Sequence, residues 1–432
     1  MHGTLRHIIL WFLVVNSQEA AWTCEESCDQ LIYLFVNPTS GGHEASTFTR
    51  TGVDYYHFGE PGHVSHIFIS DIRVGGRGNK PGFKKLAKDS SDNNCVHPGS
   101  PIRVVVAGGD GTVVWAMEEA HRHGVDMNNV AFGTIPYGTG NDFGRVLGWG
   151  TSNPANVFDK EMEVFKNLVR SWLQAEPKSF DLWEVTIEMG HGGRIRKWKG
   201  NESVIMKDET KRRRPVKKLV KMMSNYFSFG IESQIGMEFD KHRTDSQMLN
   251  KGVYLVEGFK QMFSSSPRIG DAVEHCYSND RLVFTTDEDA GNVPLLRGNP
   301  VSLIFLNINS FAGGCDIWSE SKYIGLKNHE PLSFTDQLYS DRKLEVLSYQ
   351  TLVGFGWEQF RRLHKFIPSF GQRIAQVEGV ATMSFKNDVN VFAQVDGEFY
   401  HLERPRRITI EHKVTTKVLE KATEEDLELD LF

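Results

Sequence analysis

Cysteine is scarce in this chain: its 432 residues hold five, Cys24, Cys28, Cys95, Cys276 and Cys315. The count is odd and no C-x-x-C pair occurs, which excludes a disulfide framework and a paired-cysteine zinc site and leaves scattered reduced thiols, as expected in a cytosolic protein. Cys24 and Cys28 could share a helix face, but two ligands make no structural zinc site. Positive charge is also short. Lysine plus arginine number 49 against 55 aspartates and glutamates, and 49 − 55 = −6, so the basic footprint of a general nucleic-acid binder is missing. No apolar run reaches membrane-spanning length. The longest, His7 to Val15 (HIILWFLVV) after Arg6, reads first as a peripheral tail or an artefact of the assigned gene start, then as a membrane anchor, and last as the core of a cleaved signal. The phosphate signature G-x-x-x-x-G-K-[ST] and a strand-linked G-x-G-x-x-G are both absent, which excludes P-loop and dinucleotide schemes. Protein-kinase elements H-R-D and D-F-G are absent too, and no internal repeat is seen.

What is present is globular. Hydrophobic residues make up 40% and charged residues 24%, ordinary proportions that argue against disorder. The length allows two or three domains. The first half alternates strand and helix patterns. Leu31 to Val36 runs into Asn37-Pro38, His66 to Ile69 is a second apolar run, and Ile102 to Ala107 ends in Gly108-Gly109. Val130 to Ile135 is stopped by Pro136. Val113, Ala116, Met117 and Ala120 mark one helix face, and Phe165, Leu168, Val169, Trp172 and Leu173 another. Such alternation predicts an α/β fold with an open, mostly parallel sheet. Past Pro177 the period changes. Trp183, Val185, Ile187 and Met189 alternate with polar residues, and further strand runs follow at Leu282 to Thr285, Val301 to Ile308, Leu344 to Leu347, Val391 to Val395 and Ile408 to Ile410. This predicts a β-rich, antiparallel, sandwich-like second domain with helices near Val253 to Phe263 and Trp357 to Phe366. The boundaries are an apolar segment over 1–28, an α/β domain over 29–176, a β-rich domain over 177–415 and an acidic tail or helix over 416–432.

Three loops at strand ends carry the chemistry. Asn37-Pro38-Thr39-Ser40-Gly41-Gly42 has hydroxyls and glycines that let backbone N–H groups converge on an anion; alone it is no more than a strand-exit turn. Gly108-Gly109-Asp110-Gly111-Thr112 lies between strand and helix, with Thr112 placed to cap the helix that follows. A helix N-terminus favours phosphate, so Asp110, an anion there, makes sense facing a metal ion or taking a proton from a hydroxyl. Pro136-Tyr137-Gly138-Thr139-Gly140-Asn141-Asp142 is the third. In an open α/β sheet all three gather at the carboxyl ends of the strands, where ligands bind.

The loop order N-P-x-S-G-G, G-G-D-G-T, P-x-G-T-G-N-D resembles the catalytic domain of diacylglycerol kinases. Asn225 to Gly230 (NYFSFG), Asn307 to Trp318 (NINSFAGGCDIW), Asp341 to Val346 (DRKLEV) and Gln394 to Glu398 (QVDGE) resemble elements of that family's accessory domain. The resemblance covers roughly residues 30 to 415. It implies a magnesium- and ATP-dependent kinase that converts diacylglycerol to phosphatidic acid, in a short form without C1 fingers or EF-hands. It implies nucleotide contacts from Asn37, Thr39, Ser40, Gly41, Gly42, Gly108, Gly109, Gly111, Thr112, Gly138, Thr139 and Asn141. Magnesium falls to Asp110 and, by analogy with bacterial relatives, to Asp341. Asp110 and Glu398 are rival proton acceptors, since Glu398 matches the glutamate that serves as base in those relatives. Arg342 departs from the family, standing where D-G-x-L-E-V has glycine.

The lipid substrate is met at a membrane. Lys211, Arg212, Arg213, Arg214, Lys217, Lys218 and Lys221 form a basic segment, read as a surface loop, suited to anionic lipid or equally to a solvated or nuclear-import role. The expected location is cytoplasmic, with peripheral membrane association when active and no nucleic-acid partner. The rival readings are a sphingoid or ceramide kinase of the same superfamily, an NAD kinase, which shares G-G-D-G-T but not the later elements, and a catalytically silent lipid-binding scaffold.

Overall fold

The computed structural model describes residues 11–14, 30–60, 63–92, 100–159, 161–199, 202–208, 214–241, 268–329, 333–361 and 369–422. The expected helix from Val253 to Phe263, the residues Lys211, Arg212 and Arg213, and Cys24, Cys28 and Cys95 lie outside these residues. The chain forms two compact units, residues 1–179 with 416–432, and residues 180–415.

Unit 1 is built on a sheet that is parallel through its centre. β1 (Trp11–Val14) pairs antiparallel with β3 (Tyr55–Glu60), and β3 pairs antiparallel with β4 (His63–Asp71). Parallel pairings then join β4 to β2 (Gln30–Val36), β2 to β5 (Ile102–Gly108) and β5 to β6 (Val130–Pro136). Six of the seven residues of β2 and all seven of β5 and β6 are buried. Such continuous apolar runs suit strands covered on both faces. The helices α1 (Thr47–Arg50), α2 (Pro81–Ser90), α3 (Asp110–Arg122), α4 (Asp142–Val146) and α5 (Glu163–Gln174) follow the strands. Val113, Ala116, Met117 and Ala120 are buried on α3, as are Phe165, Val169 and Trp172 on α5, so the helical periodicity marked the faces that pack.

Unit 2 holds the alternating residues Trp183, Val185, Ile187 and Met189 on the long strand β7 (Glu176–Lys199), all buried. β8 (Lys218–Met223) pairs antiparallel with it. β9 (Tyr226–Gly230) pairs antiparallel with β10 (Ser302–Leu306) and with β13 (Asn390–Val395). β10 pairs with β11 (Lys343–Tyr349), and β11 with β12 (Gln372–Glu378). β14 (Glu398–Glu420) closes a hairpin on β13. Helix α6 (Ile231–Lys241) follows β9, and a later helix spans Leu352–Arg361, where the sequence pattern starts one at Trp357. The core joins side chains from nearly every strand, Trp183, Phe227, Phe305, Val346 and Ile408 among them.

Two expectations change. The C-terminal residues were expected as a tail or helix, but the backbone is strand through Glu420, and Val418 pairs in parallel with Phe132 of β6. Gly133 leaves room for Leu419, and Trp149 Nε1 donates to the Leu419 carbonyl at 2.7 Å. Burying Leu419 and Val418 outweighs the polar composition around them. The basic segment, read as a loop, is strand at Arg214–Pro215 and across β8, with Val216 and Lys217 outside any strand between them.

Candidate functional site

The three glycine-rich loops leave the carboxyl ends of β2, β5 and β6 side by side and are tied to one another. Asn37 Nδ2 donates to Thr112 Oγ1 at 3.3 Å, joining the first loop to the second. Within the first loop, Thr39 Oγ1 donates to Asn37 Oδ1 at 2.8 Å. Gly41 and Gly42 are both left-handed, at φ 61°. A Cβ on Gly41 would sit 2.8 Å from Tyr137 Cδ1, so the first loop also packs on the third.

The second and third loops meet backbone to backbone. A Cβ on Gly138 would lie 2.8 Å from Gly109 Cα and 2.6 Å from Asn141 Oδ1. Only glycine permits that approach. Asn141 closes the third loop, accepting from Gly138 N at 2.7 Å and donating from Nδ2 to the Gly138 carbonyl at 2.8 Å. Asp110 Oδ2 accepts from Asp142 N at 2.8 Å and from Phe143 N at 3.4 Å. Asp110 is thus at once the first residue of α3 and the side-chain anchor of α4. Thr112 does not cap α3. The helix starts at Asp110 with Gly109 as its N-cap, so Thr112 falls inside the first turn and its hydroxyl serves Asn37 instead.

Every candidate phosphate-contacting residue therefore falls on these loops, Thr39 and Gly111 exposed and Ser40 and Thr139 half-buried. Backbone N–H groups and small hydroxyls at a helix N-terminus can hold a polyphosphate. Among the described residues no group of three acidic, histidine or cysteine side chains is placed to hold a metal ion. A magnesium ion held by one carboxylate, with phosphate oxygens and water completing its shell, asks for no such cluster, and the half-buried Asp110 fits that demand.

Unit 2 carries the other two predicted residues on separate elements. Asp341 lies just before β11, and burial raises its carboxyl above the ordinary range, the Lys343 N–H and ammonium opposing and Asp181 adding to the rise. Arg342, where the family motif has glycine, takes the left-handed conformation at φ 61°. Its N–H donates to Asp181 Oδ2 at 2.7 Å.

Glu398 follows the turn of the β13–β14 hairpin, in which Asp396 (φ 46°) and Gly397 (φ 79°) are both left-handed, as a two-residue hairpin turn requires. Asp396 accepts from the backbone N–H groups of Ser224, Asn225 and Tyr226 at 2.6, 2.9 and 3.0 Å. Burial nevertheless lifts its carboxyl to about 6. The Glu398 carboxylate meets Lys221 Nζ at 2.9 Å, Lys197 Nζ at 3.0 Å and the Tyr400 hydroxyl at 2.6 Å. Burial pushes Glu398 up, but Lys221, Tyr400 and Lys197 together outweigh it and leave the carboxyl at about 2. Sequence reasoning missed Lys197 and Tyr400 and placed Lys221 in the membrane cluster. Only the pairing of β8 with β7 and the hairpin turn bring these three together, and no local pattern records that. Lys217 is likewise engaged, donating to the Gly193 carbonyl at 2.8 Å, while Arg214 and Lys218 are exposed.

Residues 31–170 match the family model for the diacylglycerol kinase catalytic domain, and residues 222–399 that for the diacylglycerol kinase accessory domain. Among curated proteins, diacylglycerol kinase theta of Mus musculus is 27% identical over 76% of this chain, which spans 29% of that protein. Diacylglycerol kinase 2 of Arabidopsis thaliana is 26% identical over 75% of this chain and 39% of its own length. Diacylglycerol kinase 1 of Oryza sativa subsp. japonica is 22% identical over 87% of this chain and 75% of its own length.

Proposed function

Because the chain belongs to the diacylglycerol kinase family, we propose that it transfers the γ-phosphate of ATP to the free hydroxyl of 1,2-diacylglycerol, giving phosphatidic acid for lipid signalling and glycerolipid metabolism. The observation that carries this reading is the tying of three glycine-rich loops around Asp110 at one sheet edge. Loops so braced present N–H groups and hydroxyls in fixed positions, and phosphoryl transfer depends mainly on positioning and on neutralising charge. Asn37, Thr39, Ser40, Gly41, Gly42, Gly108, Gly109, Gly111, Thr112, Gly138, Thr139 and Asn141 hold the nucleotide in this assignment.

Asp110 would hold magnesium, with Asp341 a second, structural position, and the ion would supply charge neutralisation for the phosphates. The two rival acceptors then separate. Asp110 spends one oxygen on the α4 backbone and faces the phosphates, whereas Glu398 takes the proton. The hydroxyl oxygen bonds to phosphorus, the bond from phosphorus to the ADP oxygen breaks, and the hydroxyl proton passes to the Glu398 carboxylate. Arg214 and Lys218, with the basic residues preceding them, bring the protein to anionic lipid.

The test is a kinase assay with magnesium, labelled ATP and mixed micelles bearing diacylglycerol, ceramide or sphingosine in parallel. Labelled phosphatidic acid is the expected product. A labelled sphingoid or ceramide product would overturn the substrate, and no transfer from folded protein would favour a silent scaffold.

A further inference from the structure

The Glu398 carboxylate is bracketed from two strands and from its own. Lys197 reaches it from β7, Lys221 from β8, and Tyr400 from two residues along β14, at 3.0, 2.9 and 2.6 Å. Exposed ion pairs of this kind are usually weak and wander, but this one is anchored. Asp396, two residues before Glu398, is fixed to the backbone N–H groups of residues 224 to 226. Those residues continue directly from β8, which carries Lys221. Lys221 and Glu398 are therefore held at a set separation by the turn between them. On the side of α6, Gly236 has no side chain because a Cβ would meet the Phe399 ring. The acidic residues of that helix with described side chains are Glu232, which is buried, and Glu238.

We infer that Lys197 and Lys221 are positioning residues for the reaction: they aim the Glu398 carboxylate and keep it ionised, so that it is ready to accept the substrate proton. This rests on the assignment of Glu398 as proton acceptor. A carboxylate so held is a weak base. The proton therefore leaves after the hydroxyl oxygen has bonded to phosphorus, when that oxygen is strongly acidic. The pair has two jobs that a single lysine could not do alone. One ammonium sits on each carboxylate oxygen, Lys221 on Oε1 and Lys197 on Oε2, which fixes the plane of the group as well as its charge.

Side-chain carboxyl carbons are followed by NMR against pH in the full-length protein, with Glu398 assigned by its loss in Glu398→Gln, and kcat and ATP KM are measured in parallel. In the wild type the Glu398 signal should show no midpoint above pH 4. Lys197→Met and Lys221→Met should each raise the midpoint by about one pH unit or more and lower kcat by about 10-fold, leaving ATP KM within about 3-fold. Lys221→Arg, which keeps the charge, should restore the midpoint. If Lys221→Met fails to fold, Lys221→Gln replaces it. An unmoved midpoint in both lysine variants, with Glu398→Gln inactive, would overturn the positioning role and spare the acceptor. Wild-type turnover in Glu398→Gln would overturn the acceptor and this inference with it.

Discussion

The Asp110 carboxylate holds the backbone N–H of Asp142 at 2.8 Å, so the acid of the second glycine-rich loop is what fixes the third. A substitution that keeps the acceptor but removes the charge separates these two duties. Asp110→Asn retains an oxygen for Asp142 N and should stay folded. Turnover should fall by about 100-fold or more, as the role proposed for Asp110 toward magnesium requires. Steady-state kinetics with a circular dichroism spectrum check this, and near-native activity would remove Asp110 from the chemistry.

Backbone contact between Gly109 and Gly138 gives a second prediction. Gly138→Ala puts a Cβ 2.8 Å from Gly109 Cα, and neither backbone can rotate away as a side chain would. The loops must part. ATP KM should rise by about 10-fold or more, with stability lowered by about 1–3 kcal/mol. Nucleotide titration and thermal melting read the two effects separately.

Glu398→Gln should lower kcat strongly while ATP KM changes little, because the hairpin that carries it is held by Asp396 rather than by Glu398 itself. An unchanged kcat would leave Glu398 with only its ion pairs.

Arg342 sits at φ 61°, a conformation that costs a residue with a Cβ about 1 kcal/mol. Its side chain is exposed, so Arg342→Gly should stabilise unit 2 by up to about 1 kcal/mol. A lower melting temperature in that variant would show that the arginine side chain matters more than its backbone.

Glu232 is fully buried at the start of α6, and burial raises its carboxyl to about 7 against the pull of Ser302, Ser228 and Ser233. The folded state therefore holds this proton more tightly than the unfolded chain does. Its contribution is complete below about pH 4.5. It is lost as pH rises to about 7, a change on the order of 3 kcal/mol. Urea unfolding at pH 5, 6, 7 and 8 should show stability declining toward pH 7, and Glu232→Gln should flatten that slope.

Much of the fold was legible because apolar runs and turn residues are local signals. The strand before Asn37 runs into Asn37-Pro38, β5 and β6 end at Gly108 and Pro136, and the helix faces on Val113 and Phe165 repeat at helical spacing. The three glycine-rich loops of the candidate site could be read for the same reason. What could not be read depends on contacts distant in sequence. Lys197 and Lys221 lie 201 and 177 residues from Glu398, and nothing near any of them signals the meeting. Helix α3 starts three residues earlier than a Thr112 cap would place it, a shift that exchanges a cap for a bond to Asn37. Leu419 looked like tail because its neighbours are charged, and only the space left by Gly133 shows where it belongs.

The return of the chain to unit 1 has a consequence for biosynthesis. A ribosome delivers residues in order, and domains generally form as units when their residues emerge. All of unit 2 is made before Thr416, whereas β6 waits for Val418 and Leu419. The nascent α/β unit must therefore exist for the whole translation of residues 180–415 with one sheet edge unclaimed, and such an edge is open to wrong partners. Among the described residues, the last strand to be made is the one that pairs with the first unit begun.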